Sequence, residues 1–205
     1  MQVQQDDFNI MEIAKGVTAK EYLNLDLSKN QSPDWDKAFE YFRLRMTERF
    51  VEPADKLIDF EKEIYPSQKK YGFAVLAIDY LLSETIQSFY EGVTDSTGQS
   101  RRLFTTFLKE RDSFKKFFID DKQANDFYFN FRCGILHQAQ TSADTKVHAV
   151  GSLISREGKF VIVNREIYHQ KIKEELEIYI AKLKKRDEPS LMTKFKIKMD
   201  YISIV

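Results

Sequence analysis

Apolar residues recur at helical spacing along the chain up to about residue 140. After the run Ser32-Pro33-Asp34, which is typical of a helix start, apolar side chains follow at intervals of four, three and four residues. These positions are Trp35, Phe39, Phe42 and Met46. Pro53 suits the first turn of a second, short helix, because proline lacks an N–H that would be unpaired there.

The segment from Phe73 to Tyr90 is apolar on more than one side. This pattern predicts a central helix that is buried on several faces. Glu84 lies within it, and a carboxylate at such a position needs either a partner or an opening to solvent.

The next segment combines a polar loop with aromatic-rich helices. Residues 91–100 are rich in Gly, Ser, Thr and Asp, which predicts a loop that ends in a helix cap at Gln99 or Ser100. Asp120 or Asp121 is suited to cap a later helix that continues to Ile135. The apolar residues between these caps are Leu103, Phe104, Phe107, Leu108, Phe114, Phe117 and Phe118, and they predict one helix and one short helical turn.

The pattern changes after Ser142. The runs VHAVGSLI, SREGK and FVIVN predict a β-hairpin that turns near Gly158. Asn164 is suited to cap a long helix with apolar residues at helical spacing, and Pro189 is expected to stop it. The apolar positions of this helix are Tyr168, Ile172, Leu176, Tyr179 and Leu183. From residue 194 to 201 apolar and polar residues alternate, which predicts a half-buried strand that pairs with the hairpin.

Together these elements predict a mainly α fold. We expect a single domain over residues 1–205, with a helical body over about 34–140 and a β-and-helix appendage over about 146–205. The appendage would contain the β-hairpin, the long C-terminal helix and the final strand.

Composition narrows the class of protein. The chain has 205 residues, 42% hydrophobic and 31% charged, which suffices for one folded core. One Cys excludes a disulfide scaffold and a Cys-based structural zinc site, and three His leave little for a metal site. We therefore expect neither a metal nor a cofactor. The acidic N-terminal segment does not resemble a signal peptide, and no apolar run is long enough to span a membrane, so we expect a soluble, cytoplasmic protein without a membrane partner.

Charge is balanced overall but unevenly distributed. Lys plus Arg and Asp plus Glu both number 32, which argues against a globally basic nucleic-acid coat protein. The segment from Arg101 to Lys116 is locally basic. It is either a solvated helix face or a patch that faces phosphate groups.

Arg132 and His137 are the residues that suggest chemistry, since the common phosphate-binding, metalloprotease and hydrolase motifs are absent. An arginine is permanently charged and binds phosphate through two N–H groups. A histidine exchanges protons near neutral pH, so it can accept the proton of a ribose 2′-hydroxyl. Such a pair can cleave RNA without a metal ion.

Helix geometry makes the spacing of this pair informative. On an α-helix, residues five apart differ by about 140° around the axis and about 7.5 Å along it, so one helix is not expected to bring them together. Two helices that cross at a two-fold axis would, with each protomer giving an Arg and a His to a shared groove. Gly134 lies between the two residues and would permit a close approach of a second helix, unless it marks the helix end.

The run FYFNFRCGILHQAQ resembles the Arg-x4-6-His motif of the HEPN superfamily (higher eukaryotes and prokaryotes nucleotide-binding). Members are small helical bundles, often homodimers, and many are metal-independent endoribonucleases of toxin–antitoxin, phage-defence and RNA-processing systems. The resemblance covers the helical part, from about Asp34 to Gln140. It implies that Arg132 and His137 are catalytic and meet across a dimer, with RNA as substrate and an antitoxin or defence-system protein as a further partner.

Two departures from the family pattern keep other interpretations open. Catalytic members usually carry a polar residue directly after the Arg, where this chain has Cys133, and the Tyr of the AMP-accepting variant is replaced by Ala139. The alternative to an endoribonuclease is therefore a non-catalytic module that binds RNA, a nucleotide or a protein. A third interpretation is a helical interaction protein without a ligand.

Purely structural roles are also open for these residues. Arg132 would then pair with Glu84 or Asp79, and His137 would be stabilised by the helix dipole. His148 and His169 are expected to be surface or hydrogen-bonded residues. Glu84, together with Ser83, Gln87 and Ser88, would either line the Arg–His groove or form internal pairs, and the aromatic residues of 127–131 are expected mainly in the core and a dimer interface.

Overall fold

The computed structural model describes residues 11–204, and it is mainly helical, as predicted. The α-helices are α1 (Ala19–Leu23), α2 (Asp34–Met46), α3 (Glu52–Ile64), α4 (Gly72–Glu91), α5 (Ser100–Glu110), α6 (Asp121–Phe127), α7 (Gly134–Gln138), α8 (Arg165–Lys185) and α9 (Pro189–Ile204). Thr47–Val51 and Tyr128–Cys133 are π-helical, and Lys115–Phe117 forms a 3₁₀ turn. Residues 1–10, on which most of the prediction about a signal peptide depends, lie outside the described residues.

The strands form two small sheets. One pairs β1 (Glu12–Ala14) with β2 (Val17–Thr18). The other has the order β3 (Thr145–His148), β5 (Phe160–Asn164), β4 (Ile154–Glu157). Strands β4 and β5 are antiparallel and turn at Gly158, whose φ is 59°, so the predicted turn and second strand are confirmed. The first strand is Ile154–Glu157 and not the run VHAVGSLI, most of which precedes it. The third strand is β3, which pairs with β5 in parallel.

The described chain forms two compact units, each built from separate stretches. The first contains residues 11–49, 88–96 and 177–204, and the second contains Phe50–Gln87 and Thr97–Leu176. The division into a helical body and an appendage stays a prediction.

Aromatic side chains make the core of the first unit. The apolar positions predicted for α2 are all buried. Phe195 of α9 meets Phe39 at 5.3 Å and Phe42 at 5.6 Å between ring centroids, both edge to face. Phe89 closes on Phe42 at 4.5 Å.

The predicted C-terminal strand is wrong, because this segment is helix α9. Its buried residues are Leu191, Met192, Phe195, Lys198, Met199 and Ser203, which recur at helical spacing. The apparent alternation fails at Ile197, which is 43% exposed although the strand pattern placed it with Phe195 on one buried face. The long helix α8 ends at Lys185, before Pro189 as expected, and Pro189 occupies the first position of α9, where proline is well tolerated.

The core of the second unit centres on Tyr80. Its ring lies 5.2 Å from that of Tyr168, 5.3 Å from that of Phe104 and 6.0 Å from that of Phe127. These residues belong to α4, α8, α5 and α6, so one aromatic cluster joins the four helices.

Two predicted helix caps are confirmed in this unit. The Asp120 carboxylate accepts a hydrogen bond from the backbone N–H of Gln123 at 2.8 Å. The Asn164 side chain accepts from Glu166 and Ile167 at 3.1 and 3.2 Å. Each satisfies backbone donors that the first turn of a helix leaves unpaired.

None of the helices between residues 11 and 204 combines the length and the apolar character that crossing a bilayer requires.

Candidate active site at Arg132 and His137

The chain reaches the site through an irregular helix. Helix α6 widens into the π-helical segment Tyr128–Cys133, which continues as α7. The guanidinium Nη1 of Arg132 lies 3.4 Å from Nε2 of His137 within the same chain. The expectation that one helix keeps the two side chains apart is therefore wrong. It assumed regular α-helical geometry, whereas Arg132 lies in a segment with wider turns and has a long side chain.

Glu84 holds Arg132 in place. Nε of Arg132 donates to one carboxylate oxygen of Glu84 at 2.8 Å and Nη2 donates to the other at 3.4 Å. Both side chains are largely buried, with 10% and 13% of their surface exposed. The pairing of Arg132 with Glu84, left open by the sequence, is thus present, and it leaves Nη1 directed at His137.

Burial raises the pKa of Glu84, and the hydrogen bond and charge of Arg132 oppose that shift. Tyr128 lies beside the pair, with the Arg132 guanidinium carbon 5.5 Å from its ring centroid. Its hydroxyl is 3.3 Å from that of Ser100, the first residue of α5. Burial raises the pKa of Tyr128 as well, so the phenol stays protonated near neutral pH.

Glycine is required at position 134 because residues 140–141 fold back against α7. A Cβ atom at this position would lie 2.5 Å from the carbonyl oxygen of Gln140 and 3.3 Å from Cα of Thr141. The backbone N–H of Gln140 donates to the Gly134 carbonyl, and the backbone N–H of Ser142 donates to the Asn130 carbonyl. The close approach expected from a second helix is therefore made by residues 140–141 of the same chain.

A pocket of about 320 Å³ lies against His137. Its lining is Phe129, Cys133, Gly134, His137, Gln138, Gln140, Thr141 and Ser142. His137 is exposed and Cys133 is half-buried, so the imidazole is accessible from this pocket.

The residues that accompany Glu84 along α4 do not line this site. Ser83, Gln87 and Ser88 are each at most 3% exposed. The Ser83 hydroxyl donates to the backbone carbonyl of Asp79 at 2.7 Å. Of the two alternatives that the sequence left open for these residues, burial favours internal pairing over a shared groove with Arg132 and His137.

The basic residues of the segment from Arg101 to Lys116 have different surroundings. Lys109, Arg111 and Lys115 form ion pairs with Asp121, Glu110 and Asp112. Arg101 instead lies beside the exposed ring of Phe129, with 5.9 Å between the guanidinium carbon and the ring centroid. Lys109 and Lys115 fit the solvated-face interpretation, whereas the Arg111 side chain is largely buried, and the phosphate-facing interpretation stays a prediction.

Two buried polar clusters were not found from the sequence. His169 is buried between Asp79, at 2.7 Å from Nδ1, and Asp55, at 3.1 Å from Nε2, and Lys173 holds both oxygens of Asp55 at 2.8 Å. Burial raises the pKa of Asp79 to about 6. Burial alone would lower the pKa of His169, but the two aspartates outweigh it and raise the pKa.

The second buried cluster is an ion pair between Glu61 and Arg165. The Glu61 side chain is fully buried, and it also accepts the backbone N–H groups of Lys70 and Tyr71 at 2.6 and 2.8 Å. His148 lines a small pocket near Arg165, together with Lys69 and Lys70. Within residues 11–204, no three His, Cys, Asp or Glu side chains are grouped so as to hold a metal ion.

Comparison of the chain with protein-family models, with curated proteins and with solved structures finds no match.

Proposed function

We propose that this chain is a metal-independent endoribonuclease of the HEPN type, acting as a homodimer. The observation that carries the proposal is the 3.4 Å approach of the Arg132 guanidinium to the His137 imidazole beside an accessible pocket. Arginine and histidine in contact at an open surface supply a phosphate-binding cation and a proton-transfer group within reach of one phosphodiester.

The reaction follows from these two side chains. His137 takes the proton of the ribose 2′-hydroxyl, and the 2′-oxygen attacks the adjacent phosphorus. Arg132 stabilises the charge that develops on the phosphoryl oxygens. The 5′-oxygen leaves with a proton and a 2′,3′-cyclic phosphate remains. His137 returns to the 5′-oxygen the proton that it took from the 2′-hydroxyl, so one Arg132–His137 pair completes the step.

Glu84 acts as a positioning residue. Its two hydrogen bonds fix the plane of the Arg132 guanidinium and direct Nη1 toward His137. An arginine held in this way loses less side-chain freedom when it binds phosphate.

The test is cleavage of mixed single-stranded RNA by the purified protein with and without EDTA. We expect cleavage that resists EDTA, products with 2′,3′-cyclic phosphate ends, and a loss on the order of a hundredfold or more in His137→Ala. Arg132→Lys, which keeps the charge but not the fork geometry, should also lose most activity. Ile119→Ala is the matched control, because Ile119 is 77% exposed in the same unit and does not line the pocket beside His137. Cleavage that survives in His137→Ala, or that EDTA abolishes, would overturn the proposal.

A second candidate function is a non-catalytic HEPN-like module that binds RNA, a nucleotide or a protein, within a toxin–antitoxin or defence system. The observation in its favour is that Arg132 is already engaged by Glu84 and is followed by Cys133 rather than by a polar residue. It predicts RNA binding without turnover, weakened in Arg132→Lys and unchanged by EDTA. Metal-free cleavage that depends on His137 would exclude it.

A further inference from the structure

We infer that Phe129 and the pocket beside His137 form a binding subsite for one unpaired nucleobase, with Arg101 contacting the neighbouring phosphate. This inference deepens the proposed function and rests on it, because it names the form of RNA that the Arg132–His137 site accepts. The occupant of this subsite is a nucleotide of single-stranded RNA.

Phe129 differs from the aromatic residues around it. Phe127, Tyr128 and Phe131 are at most 8% exposed, whereas Phe129 is 52% exposed. Its ring stands edge to face with Tyr128 at 5.3 Å, which fixes its orientation and leaves the ring accessible. An ordered aromatic ring at the surface offers a platform on which a base stacks.

The pocket combines a mainly apolar surface with a few polar side chains, which suits the flat face and the polar edge of a base. Apart from Phe129, it includes the amide side chains of Gln138 and Gln140 and the hydroxyls of Thr141 and Ser142. Such groups donate to and accept from the edges of an unpaired base. The volume of about 320 Å³ lies in the range of small-ligand pockets.

Arg101 supplies the positive charge that the proposed subsite needs for a phosphate group. Its guanidinium lies 5.9 Å from the Phe129 ring, on the exposed surface at the start of α5. Aromatic rings next to cationic side chains are the usual means of binding single strands without reading a fixed sequence. A base stacked on Phe129 would place its own phosphodiester near His137, since both residues line one pocket.

Single-strand selectivity follows from the same arrangement. A base that is paired in a helix has both faces stacked and its edge occupied, so it cannot enter a side-chain pocket. The site therefore accepts loops and single strands and rejects duplex RNA.

The experiment measures binding apart from cleavage. A fluorescent single-stranded oligonucleotide with 2′-O-methyl groups throughout binds without being cut, because it has no free 2′-hydroxyl. Fluorescence anisotropy then gives the affinity of the wild type, Phe129→Ala, Phe129→Trp and the control Ile119→Ala, whose side chain is 77% exposed in the same unit. We expect Phe129→Ala to bind on the order of tenfold more weakly, and Phe129→Trp and Ile119→Ala to bind like wild type. Arg101→Ala should reduce the dependence of affinity on salt by about one phosphate contact.

Several outcomes would overturn the subsite: no binding by the wild type, equal affinity in Phe129→Ala, or equal affinity for the same oligonucleotide annealed to its complementary strand. A change of oligomeric mass in Phe129→Ala with unchanged affinity would assign the ring to an interface between copies instead. Failure of the nuclease is distinguishable, since unmodified RNA would stay intact while binding that depends on Phe129 persists.

Discussion

Arg132 illustrates how a single side chain reconciles a structural and a chemical role. Its Nε and Nη2 groups bind a buried carboxylate, and only Nη1 is directed at His137. A buried charge is tolerated only when it is paired, so Glu84 makes the position of Arg132 possible. The same pairing reduces its net charge toward phosphate, and the exposed Arg101 nearby compensates for that loss in the proposed subsite.

Glu61 is the residue whose ionisation should be visible in the stability of the protein. Burial opposes ionisation of its carboxyl, but the hydrogen bonds of Arg165, Tyr71 and Lys70 outweigh burial and lower the pKa to about 2, from an ordinary value of 4.5. A carboxylate with a lowered pKa stabilises the folded state above its unfolded pKa, and this contribution is lost as the pH falls through the folded pKa. The shift corresponds to about 3 kcal/mol at neutral pH.

We therefore expect Glu61→Gln to lower the free energy of unfolding by about 3–5 kcal/mol at pH 6, since it also leaves Arg165 buried without its partner. The difference in free energy of unfolding between wild type and Glu61→Gln should be about 2 kcal/mol smaller at pH 3 than at pH 6. Urea unfolding at the two pH values measures this, with the exposed Glu63→Gln as control. A difference that does not change with pH would contradict the assigned role of Glu61.

For buried charged residues, the sequence showed more reliably that a pairing residue is needed than which residue it is. The apolar surroundings of Glu84 along its helix indicated that it requires a partner or an opening to solvent, and Glu84 was one of two partners considered for Arg132. Asp79 and His169 are 90 positions apart, and no periodicity connects them. The fold alone brings such pairs together, so they could not be predicted from the chain.

Among the elements, those with a single clear period were predicted correctly. Helices α2 and α8 carry apolar residues at helical spacing that fit only one type of structure. The segment that forms α9 fits both a period of two and a helical period, and packing of Phe195 against α2 decides between them. The π-helical turn at Tyr128–Cys133 leaves no mark in the pattern, which is why the meeting of Arg132 and His137 was not foreseen.

Gly134 directly follows the π-helical segment, and we expect its replacement by Ala to have the opposite effect on stability from the usual one. In an exposed helix, replacing Gly by Ala stabilises by about 1 kcal/mol. Here the added methyl group would meet the backbone carbonyl of Gln140 at 2.5 Å, so we expect Gly134→Ala to destabilise the protein by about 1–3 kcal/mol. Urea unfolding tests this, with Gln138→Ala expected within about 0.5 kcal/mol of wild type. A Gly134→Ala variant as stable as wild type would show that residues 140–141 do not pack on α7.

On the scale of the whole molecule, the candidate pair lies within one chain, and this has a consequence for mixed dimers. If each protomer uses its own Arg132 and His137, then mixing Arg132→Lys with His137→Ala subunits leaves every pair incomplete. We expect no recovery of RNA cleavage after the two inactive variants are unfolded together and refolded as a mixture. Recovery to about a quarter of wild-type activity would instead indicate pairs formed between protomers, because half of the dimers would each regain one of two sites.

The tryptophan at position 35 makes the two units separately observable by spectroscopy. The chain has one Trp, and its indole is 4% exposed in the first unit, where Nε1 donates to the Lys29 carbonyl at 3.0 Å. Emission from this ring reports on the surroundings of α2 and α9, whereas the tyrosines of the Tyr80 cluster and the Arg132–His137 pair belong to the second unit. A denaturant titration followed both by indole emission and by loss of RNA cleavage therefore distinguishes concerted melting from stepwise melting without any label.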